Sequence, residues 1–450
     1  MQLVDSGSLF SCLVSNAFGT VLSSNATLTV TNKPVSGTVF LVGSYLYLPI
    51  FSNGVFMASS TGGKYNKLGT GGASGIDFWW PGTPVYNFDV GIGGTPYVDG
   101  YGGSYNVNFN SVSVYNLSTS TLQHAQVTGK VTPSLNFTRD VSFAINSKVI
   151  TLVDTLQNTS GSTLNNVVTM DNADPDQDIT SSPATFATAN DVVSVNLPND
   201  MVVASGPNTG LSLGFGSDSG IQIPSAAGFN NQNAYAYPSV IDPNGASQDI
   251  GINLTENYGN LTAGQTKSVT WYMIFDDSKA KVINDFSNAY AANFPVITLQ
   301  PTNVSVPIGS NATFTISATG ATPLSYFWRS NSVPISGANL TNYTVSNVQL
   351  ASSGSLFSCV VSNSYGTATS SNAVLTVQLP PYFTAPQFTN GTFQAILNGT
   401  PSSSYVVYVS SNLVNWVTLK TVTTTAGGST NVTDASGGLQ LRFYRAKLGP

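Results

Sequence analysis

The sequence predicts an all-β protein that consists of tandem antiparallel β-sandwiches, and three observations predict it. Nearly the same amino-acid sequence occurs at 2–30 and again at 348–377. Both copies consist of short segments in which apolar and polar residues alternate, separated by turn residues. Charged residues make up 8% of the chain, against about 25% in ordinary soluble domains. The acidic set contains a single Glu, Glu256, whereas Asp and Asn, which suit turns between strands, are abundant.

The repeated stretch defines two of the predicted domains. In the second copy, residues 303–346 supply further short strands and Trp328 ahead of the repeat, so about seven strands form a sandwich. The first copy holds only the last hairpin. Two strands are not stable alone, and we therefore expect an upstream portion of the chain to be missing.

This second copy resembles a bacterial immunoglobulin-like domain. Trp328 matches the buried tryptophan of strand C in that family, and SGSLFSC matches the approach to the second cysteine of strand F. The resemblance implies a complete immunoglobulin-like domain at 297–378 and a partial one, the last two strands, at 1–31. It departs from the family where Ser317 replaces the first cysteine. Cys359 and Cys12 are therefore expected to be unpaired thiols in separate cores.

The central region, 32–296, has many short alternating segments. In VYNFDVGI, for example, the apolar residues share one face while Asn87 and Asp89 share the other. Such a pattern indicates antiparallel sheets with one wet face. We predict one large central β-sandwich with two extensive sheets, and two smaller sandwiches are the alternative.

A single helix is predicted near 278–293, because Val282, Ile283, Phe286 and Tyr290 fall at helical spacing behind two aspartates.

The last predicted domain, 383–450, has five strand-like pieces with turn signals between them. Its motifs SSNLVNW, TD and RFYRAKL resemble those of small C-terminal β-domains in large surface proteins of Verrucomicrobia and related bacteria. The resemblance implies a secreted or cell-surface location. The N-terminus has no signal peptide pattern, and we expect that segment to have been lost with the missing upstream portion.

An acidic stretch, DNADPDQD, is a candidate calcium site. Four carboxylates occur within it, and calcium takes six to eight oxygen ligands, which alternate loop positions supply when the loop curls. The candidate ligands are Asp171, Asp174, Asp176 and Asp178. A solvated acidic turn is the alternative.

An aromatic and glycine-rich stretch, residues 75–106, is a candidate glycan site. Exposed rings stack on sugar faces, and carboxylates bind sugar hydroxyls. The candidate residues are Trp79, Trp80, Tyr97, Tyr101, Asp89 and Asp99. Packing of these rings in the core or under loops is the alternative.

Catalytic patterns are weak. The chain has one histidine, His124, without a Gly-x-Ser-x-Gly elbow, which favours a structural role for it. A glycoside hydrolase needs two carboxylates. Glu256 is one candidate and Asp89, Asp99 or Asp171 the other, but nothing in the sequence selects the pair.

Charge and hydropathy bear on the partners. A net charge of −6 without an evident basic cluster argues against nucleic acid and anionic membranes as partners, and no apolar run is long enough to span a membrane. The sequence therefore predicts a non-catalytic secreted or cell-surface protein for adhesion or glycan binding, with a polysaccharide or a surface protein as partner. The alternative is a carbohydrate-active enzyme, a glycoside hydrolase or lyase, with the central β-sandwich as its catalytic domain.

Overall fold

The computed structural model divides the chain into two compact units, residues 1–290 and 291–450. Each is described by itself. The structure describes residues 9–11, 13–16, 19–24, 26–27, 34–51, 55–56, 63–77, 86–101, 109–175, 178, 183–228, 233–435 and 441–449.

The first unit contains 22 of the described strands. They are β1 Leu9–Phe10, β2 Leu13–Asn16, β3 Gly19–Leu22, β4 Ala26–Thr27, β5 Val39–Val42, β6 Leu46–Ile50, β7 Lys64–Tyr65, β8 Ile76–Asp77, β9 Tyr86–Ile92, β10 Thr95–Tyr101 and β11 Asn110–Asn116. They continue with β12 Leu122–Thr132, β13 Leu135–Ala144, β14 Val149–Asn158, β15 Leu164–Ala173, β16 Thr188–Val193, β17 Met201–Ser205, β18 Ser212–Ser217, β19 Gln222–Ala226, β20 Ser247–Gln248, β21 Ile252–Leu261 and β22 Thr266–Asp276.

Two large antiparallel sheets dominate the first unit. One has five strands in the order β10-β9-β15-β21-β19, and the other has nine in the order β11-β12-β13-β14-β22-β18-β17-β16-β20. Their apolar side chains form one core, to which the four-stranded sheet β5-β6-β7-β8 also contributes. This confirms the predicted all-β class and the large central sandwich. The predicted N-terminal hairpin corresponds to β2 paired with β3, and β1 pairs with β4. Cys12 lies outside the described residues.

One α-helix, α1 Lys279–Ala291, occurs in the described part of the chain, where the sequence predicts it. Its buried side chains Val282 and Phe286 pack on Tyr272 and Ile274 of β22. At its start the backbone N–H of Lys281 donates to Oγ of Ser278 over 3.4 Å. Ser278, which directly follows the two aspartates, thus caps the first turn of the predicted helix.

The second unit begins with a sandwich built from ten strands. They are β23 Val296–Leu299, β24 Val304–Pro307, β25 Ala312–Thr315, β26 Ser317–Thr319, β27 Ser325–Ser330, β28 Val333–Pro334, β29 Asn342–Val345, β30 Leu356–Ser362, β31 Thr367–Thr369 and β32 Ala373–Gln378. The larger sheet has the order β24-β32-β30-β27-β28, with β31 on β30, and the pairs β23-β26 and β25-β29 form the opposing layer. All described pairings here are antiparallel except β24 with β32, which is parallel.

The core of this sandwich is almost entirely apolar. Trp328 is fully buried, and its Nε1–H donates to the backbone oxygen of Leu340 over 2.9 Å. Phe314 stacks on Phe357 with 4.5 Å between ring centroids. Cys359 is a buried free thiol whose pKa is raised by burial. This agrees with the structural role expected for that cysteine.

The C-terminal part of the second unit contains two three-stranded sheets, β33-β34-β37 and β36-β35-β38. Their strands are β33 Tyr382–Thr389, β34 Thr392–Asn398, β35 Ser404–Ser410, β36 Val417–Thr423, β37 Ser429–Asp434 and β38 Phe443–Leu448. Tyr405 and Val407 lie in the core between them. In the described residues of the whole chain, no helix is long and apolar enough to span a membrane.

Candidate functional site

The five-stranded sheet of the first unit buries polar side chains on both of its faces. Along β9, Tyr86, Phe88 and Val90 point toward the nine-stranded sheet and belong to the main core. Asn87 and Asp89 alternate with them and therefore point to the opposite face. Both are completely buried. The face expected to be wet is therefore covered, and the two faces offer two distinct candidate sites.

The inward face carries an ion-pair network centred on Arg139 of β13. Its Nε and Nη2 donate to both carboxylate oxygens of Asp154 over 2.7 Å each. Its Nη1 and Nη2 donate to the two oxygens of Asp171, on the five-stranded sheet, over 2.9 Å each. The guanidinium also lies 3.7 Å from the ring centroid of Phe88. One arginine thus joins two carboxylates and links the two sheets.

Two further donors complete the network. The Tyr86 hydroxyl donates to Oδ1 of Asp171 and accepts from Arg139 over 3.0 Å. Trp271 Nε1 donates to Asp154 over 2.9 Å. Burial lowers the pKa of Arg139, but the two carboxylates outweigh it and hold that pKa above its ordinary value. Burial raises the pKa of Asp171 to about 6, although Arg139 acts in the opposite direction.

Glu256 of β21 is also on the inward face, because it lies two residues from each of the core residues Leu254 and Tyr258. It is 3% exposed, and Ser219 donates to its Oε2 over 2.6 Å. Its Oε1 has no hydrogen-bond partner among the described residues. Burial raises its pKa to about 8, so the side chain carries a proton at neutral pH. The geometry favours a role in the interior over contact with a substrate.

The outward face carries a row of amides and a hydroxyl, which we call the amide row. It runs across four neighbouring strands in register and consists of Asn87, Asn172, Asn253 and Ser225. All four side chains are completely buried. Asn172 Nδ2 donates to Oδ1 of Asn253 over 2.7 Å, and Asn253 Nδ2 donates to the backbone oxygen of Ala227 over 3.0 Å.

Two hydroxyls on this outward face are buried without a partner in the described part of the chain. They are Oγ of Ser225 and Oγ1 of Thr255, which alternates with Leu254 and so shares the outward face. An unsatisfied buried hydroxyl costs free energy, about 1–3 kcal/mol in mutational data. A bound molecule that supplies hydrogen-bond partners would remove this cost.

An aromatic residue covers part of this outward face. Tyr235 packs so closely on Gly91 of β9 that a Cβ there would lie 2.4 Å from its ring. Its hydroxyl donates to the backbone oxygen of Asn166 over 2.6 Å and accepts from the N–H of Gly94 over 3.0 Å. Ala234 is buried against Val168 and Met170. The outward face thus combines neutral polar groups with an aromatic ring.

The predicted glycan-binding residues are only partly brought together. Asp89 is buried on the outward face, next to the amide row in register. Tyr97 pairs with Val90 and packs against the main core, as in the alternative in which these rings are core residues. Asp99 and Tyr101 lie in β10, and their side chains are outside the description. Trp79 and Trp80 lie outside the described residues.

The predicted calcium ligands have different surroundings. Asp171 is not in a loop: it lies in β15 and pairs with Arg139. Asp178 accepts from Thr209 Oγ1 and from the backbone N–H of Asn208. Asp174 is buried, and Asp176 lies outside the described residues. Among the residues that the structure covers, no group of three His, Cys, Asp or Glu side chains is placed to hold a metal. The calcium site stays a prediction.

Several residues of the two faces escaped sequence reasoning. Asn253 and Thr255 alternate with Ile252 and Leu254, so the period-two pattern marks their shared face but not its burial. Arg139 occupies one of the positions of β13 whose other residues are apolar and point into the core. A charge on this face needs a partner, and this is a signal that the sequence does contain. Ser225 has no signal in the sequence.

One comparison with known proteins places its match in the second unit. The profile of the immunoglobulin domain family matches residues 295–363. The mouse protein "Leucine-rich repeats and immunoglobulin-like domains protein 3" is 30% identical over 109 residues, which are 20% of this chain and 10% of that protein. The chain therefore spans about a tenth of that relative's length.

Solved structures similar to the chain include immunoglobulin-type domains. The titin I-band fragment I67–I69 is 19% identical, with a TM-score of 0.25 and coverage of 31% of this chain and 64% of that one. The tandem Ig repeats of Dlar are 16% identical, with a TM-score of 0.19 and coverage of 38% and 90%. The profile match, the strand order around Trp328 and Cys359, and the internal repeat together show that this chain contains immunoglobulin-like domain sequence.

Proposed function

We propose that this protein is a non-catalytic, secreted or cell-surface binding protein whose first unit binds a neutral glycan at the amide row. The observation that carries the proposal is the pair of buried hydroxyls, Ser225 and Thr255, without partners in the described part of the chain, beside buried asparagines. Amides and hydroxyls donate to and accept from sugar hydroxyls, and Tyr235 supplies an aromatic face next to them.

The ionisable groups of this region support binding over catalysis. Asp154 and Asp171 are held by Arg139, and Glu256 lies on the opposite face of the sheet from Asp89. A glycosidase needs two carboxyl groups that flank one bond. Glu256 and Asp89, on opposite faces of the sheet, cannot flank one bond, and Arg139 holds Asp154 and Asp171, so the enzyme alternative has less support.

The immunoglobulin-like domain fits the same role. Such domains serve as binding or spacer modules, and the match at 295–363 supports a protein built from them. The cell-surface location rests on this match and on the resemblance of the C-terminal domain. The function of the mouse relative is not transferred, because the alignment spans 10% of that protein.

A glycan array probed with the whole chain tests the proposal, paired with an assay of reducing-sugar release on the same glycans. We expect binding without release. The double variant Ser225→Ala/Thr255→Val should weaken binding, because it removes both hydroxyls. Thr155→Val is the matched control, since Thr155 is a hydroxyl residue on the nine-stranded sheet whose Oγ1 is 2.7 Å from Ser268 Oγ.

The cover over the amide row gives a second readout. A ligand reaches the row when Ala234 and Tyr235 move aside, so hydrogen exchange in 233–250 should change on binding. Binding to no glycan would contradict the proposed ligand. Release of reducing ends that is lost in Glu256→Gln would replace the proposal with the enzyme alternative.

A further inference from the structure

The basic residues of the second unit are concentrated at its C-terminal end. The first unit has 9 Lys and Arg against 19 Asp and Glu, whereas the second has 5 against 1. Four of those five, Lys420, Arg442, Arg445 and Lys447, fall in the last 31 residues of the chain. The low overall charge of −6 conceals this separation. The last domain therefore differs from the rest of the chain in its balance of charge.

One sheet of the C-terminal domain presents two of these cations. Arg445 and Lys447 are exposed and alternate with the half-buried Ala446, so they lie on the outer face of β38. The guanidinium of Arg445 lies 4.3 Å from the ring centroid of Trp416 and 5.3 Å from that of Tyr408. These rings fix its position without neutralising its charge.

The single acidic residue of this unit does not offset these charges. Asp434 accepts from Arg442 Nη1 over 2.7 Å and from the Tyr444 hydroxyl over 3.0 Å. Its carboxylate therefore already forms an ion pair with one arginine. Lys420, Arg445 and Lys447 remain as uncompensated positive charge, because no other acidic residue occurs between 286 and 450.

The end of this sheet beside Trp416 and Arg445 exposes large aliphatic side chains. Register places Phe443 opposite Ser410, so residues 441–442 and the turn after β35 leave the sheet at one end. We call the exposed aliphatic set of this end the tip. Its members are Leu413, Val414, Val417 and Leu441, with exposed fractions of 57, 77, 62 and 70%.

Local hydrogen bonds hold the tip in an ordered turn. Oδ1 of Asn412 accepts from the backbone N–H groups of Val414 and Asn415 over 3.0 and 2.8 Å. Trp416 Nε1 donates to the backbone oxygen of Leu413 over 3.0 Å. These hydrogen bonds within the turn thus keep its aliphatic side chains exposed.

We propose that the tip and the neighbouring cations of β38 form a peripheral binding surface for a lipid bilayer that contains anionic phospholipids. A projecting aliphatic turn inserts its side chains into the boundary between headgroups and acyl chains, and cations around it contact lipid phosphates. An anionic polysaccharide matches the cations but gives the four aliphatic side chains no apolar surroundings. The lipid surface accounts for both features.

Salt limits the distance over which charges of the protein act on a membrane. Charges separated by more than about 10 Å are largely screened at 0.1 M salt. The contact therefore depends on the charges near the tip rather than on the net charge of the chain. This surface is independent of the glycan site proposed in the first unit.

Sedimentation of the whole chain with lipid vesicles tests the proposal. We expect binding to vesicles of phosphatidylcholine mixed with phosphatidylglycerol, weakening as salt is raised, and little binding to phosphatidylcholine alone. Each of Arg445→Gln and Lys447→Gln should weaken binding about fivefold, since a cation near an anionic membrane contributes about 1 kcal/mol. Val414→Asp should weaken it about tenfold or more, because an aliphatic side chain is lost from the bilayer.

Two substitutions in the first unit serve as matched controls. Leu68→Asp changes an aliphatic side chain that is 76% exposed, and Lys67→Gln removes an exposed cation next to it. Both should bind as the unaltered chain does. No sedimentation with anionic vesicles at low salt would overturn the proposal, as would equal losses in the control variants. If Val414→Asp binds normally while soluble polygalacturonate competes, the surface is a polysaccharide site and the proposal is wrong.

Discussion

The interiors of the two units are built differently. The sandwich of the first unit buries Arg139, Asp154, Asp171 and Glu256 between its large sheets. The immunoglobulin-like sandwich buries apolar residues around Trp328. Buried charges make stability depend on each partner and on pH, whereas an apolar core depends on neither. The comparison predicts that the first unit responds to charge-changing substitutions and the immunoglobulin-like sandwich does not.

The largest expected effect comes from Arg139→Met. It leaves the carboxylates of Asp154 and Asp171 buried without their guanidinium, and breaking a buried pair in this way typically costs about 3–5 kcal/mol. Hydrogen exchange across β13, β14 and β15 measures the loss, with β27 to β32 as an internal reference. The matched variant is Arg329→Met in the second unit. Equal effects of the two substitutions would contradict the expected difference between the two interiors.

Glu256→Gln tests the pH dependence of the first unit. The folded pKa of Glu256 is about 8 against an ordinary value of 4.5. Its contribution to stability is therefore complete below about pH 4.5 and is lost as pH rises toward the folded pKa, by roughly 2–4 kcal/mol for a buried carboxyl.

The glutamine variant carries no proton that titrates in this window. Its free energy of unfolding should therefore fall less between about pH 5 and pH 9, and it should be the more stable protein at the alkaline end. Urea denaturation at several pH values measures this. Parallel pH profiles for the two proteins would show that Glu256 does not titrate with a raised pKa.

Calcium is expected to affect the first unit more moderately. If the stretch 171–178 binds it, calcium at about ten times its dissociation constant adds roughly 1.4 kcal/mol. Thermal melting with calcium or a chelator measures the shift, which Asp174→Asn/Asp176→Asn should abolish. Asp249→Asn, at an exposed aspartate, is the control. An unchanged midpoint at millimolar calcium would remove the calcium hypothesis.

Lys281→Ala should have the smallest effect, although it also breaks an ion pair in the first unit. Lys281 Nζ lies 2.7 Å from Asp277 across one turn of α1, but the lysine side chain is 54% exposed. Solvent screens such pairs, so we expect no measurable change in melting. A loss comparable with that of Arg139→Met would show that burial does not decide the strength of these pairs.

The fold was largely predictable, because alternation and turn residues are local signals. The all-β class, the helix at 278–293 and the sandwich around Trp328 follow from them. The surroundings of the polar residues were not predictable. Asn87 and Asp89 alternate with apolar neighbours as exposed residues do, and they are buried because distant chain covers the sheet. The partners Arg139 and Asp171 are 32 residues apart in sequence and on different sheets.

The amide row and the tip show the same limit of sequence reasoning. Asn172 and Asn253 become neighbours only through the register of β15 and β21. Val414 and Leu441 share one end of a sheet because β35 and β38 pair. Period-two patterns give the face of each residue, but the order of strands in a sheet depends on long-range packing.

The parallel pair β24 and β32 has a mechanical consequence. The register runs from Val304 opposite Leu375 to Pro307 opposite Gln378. The two strands lie side by side, so the chain enters this pair at one end through β24 and leaves it at the other end through β32. Tension applied to the two ends pulls these strands in opposite directions along their lengths. The load falls on all the hydrogen bonds of the pair at once, and they must shear together instead of opening one after another. This arrangement makes the domain resist extension under load.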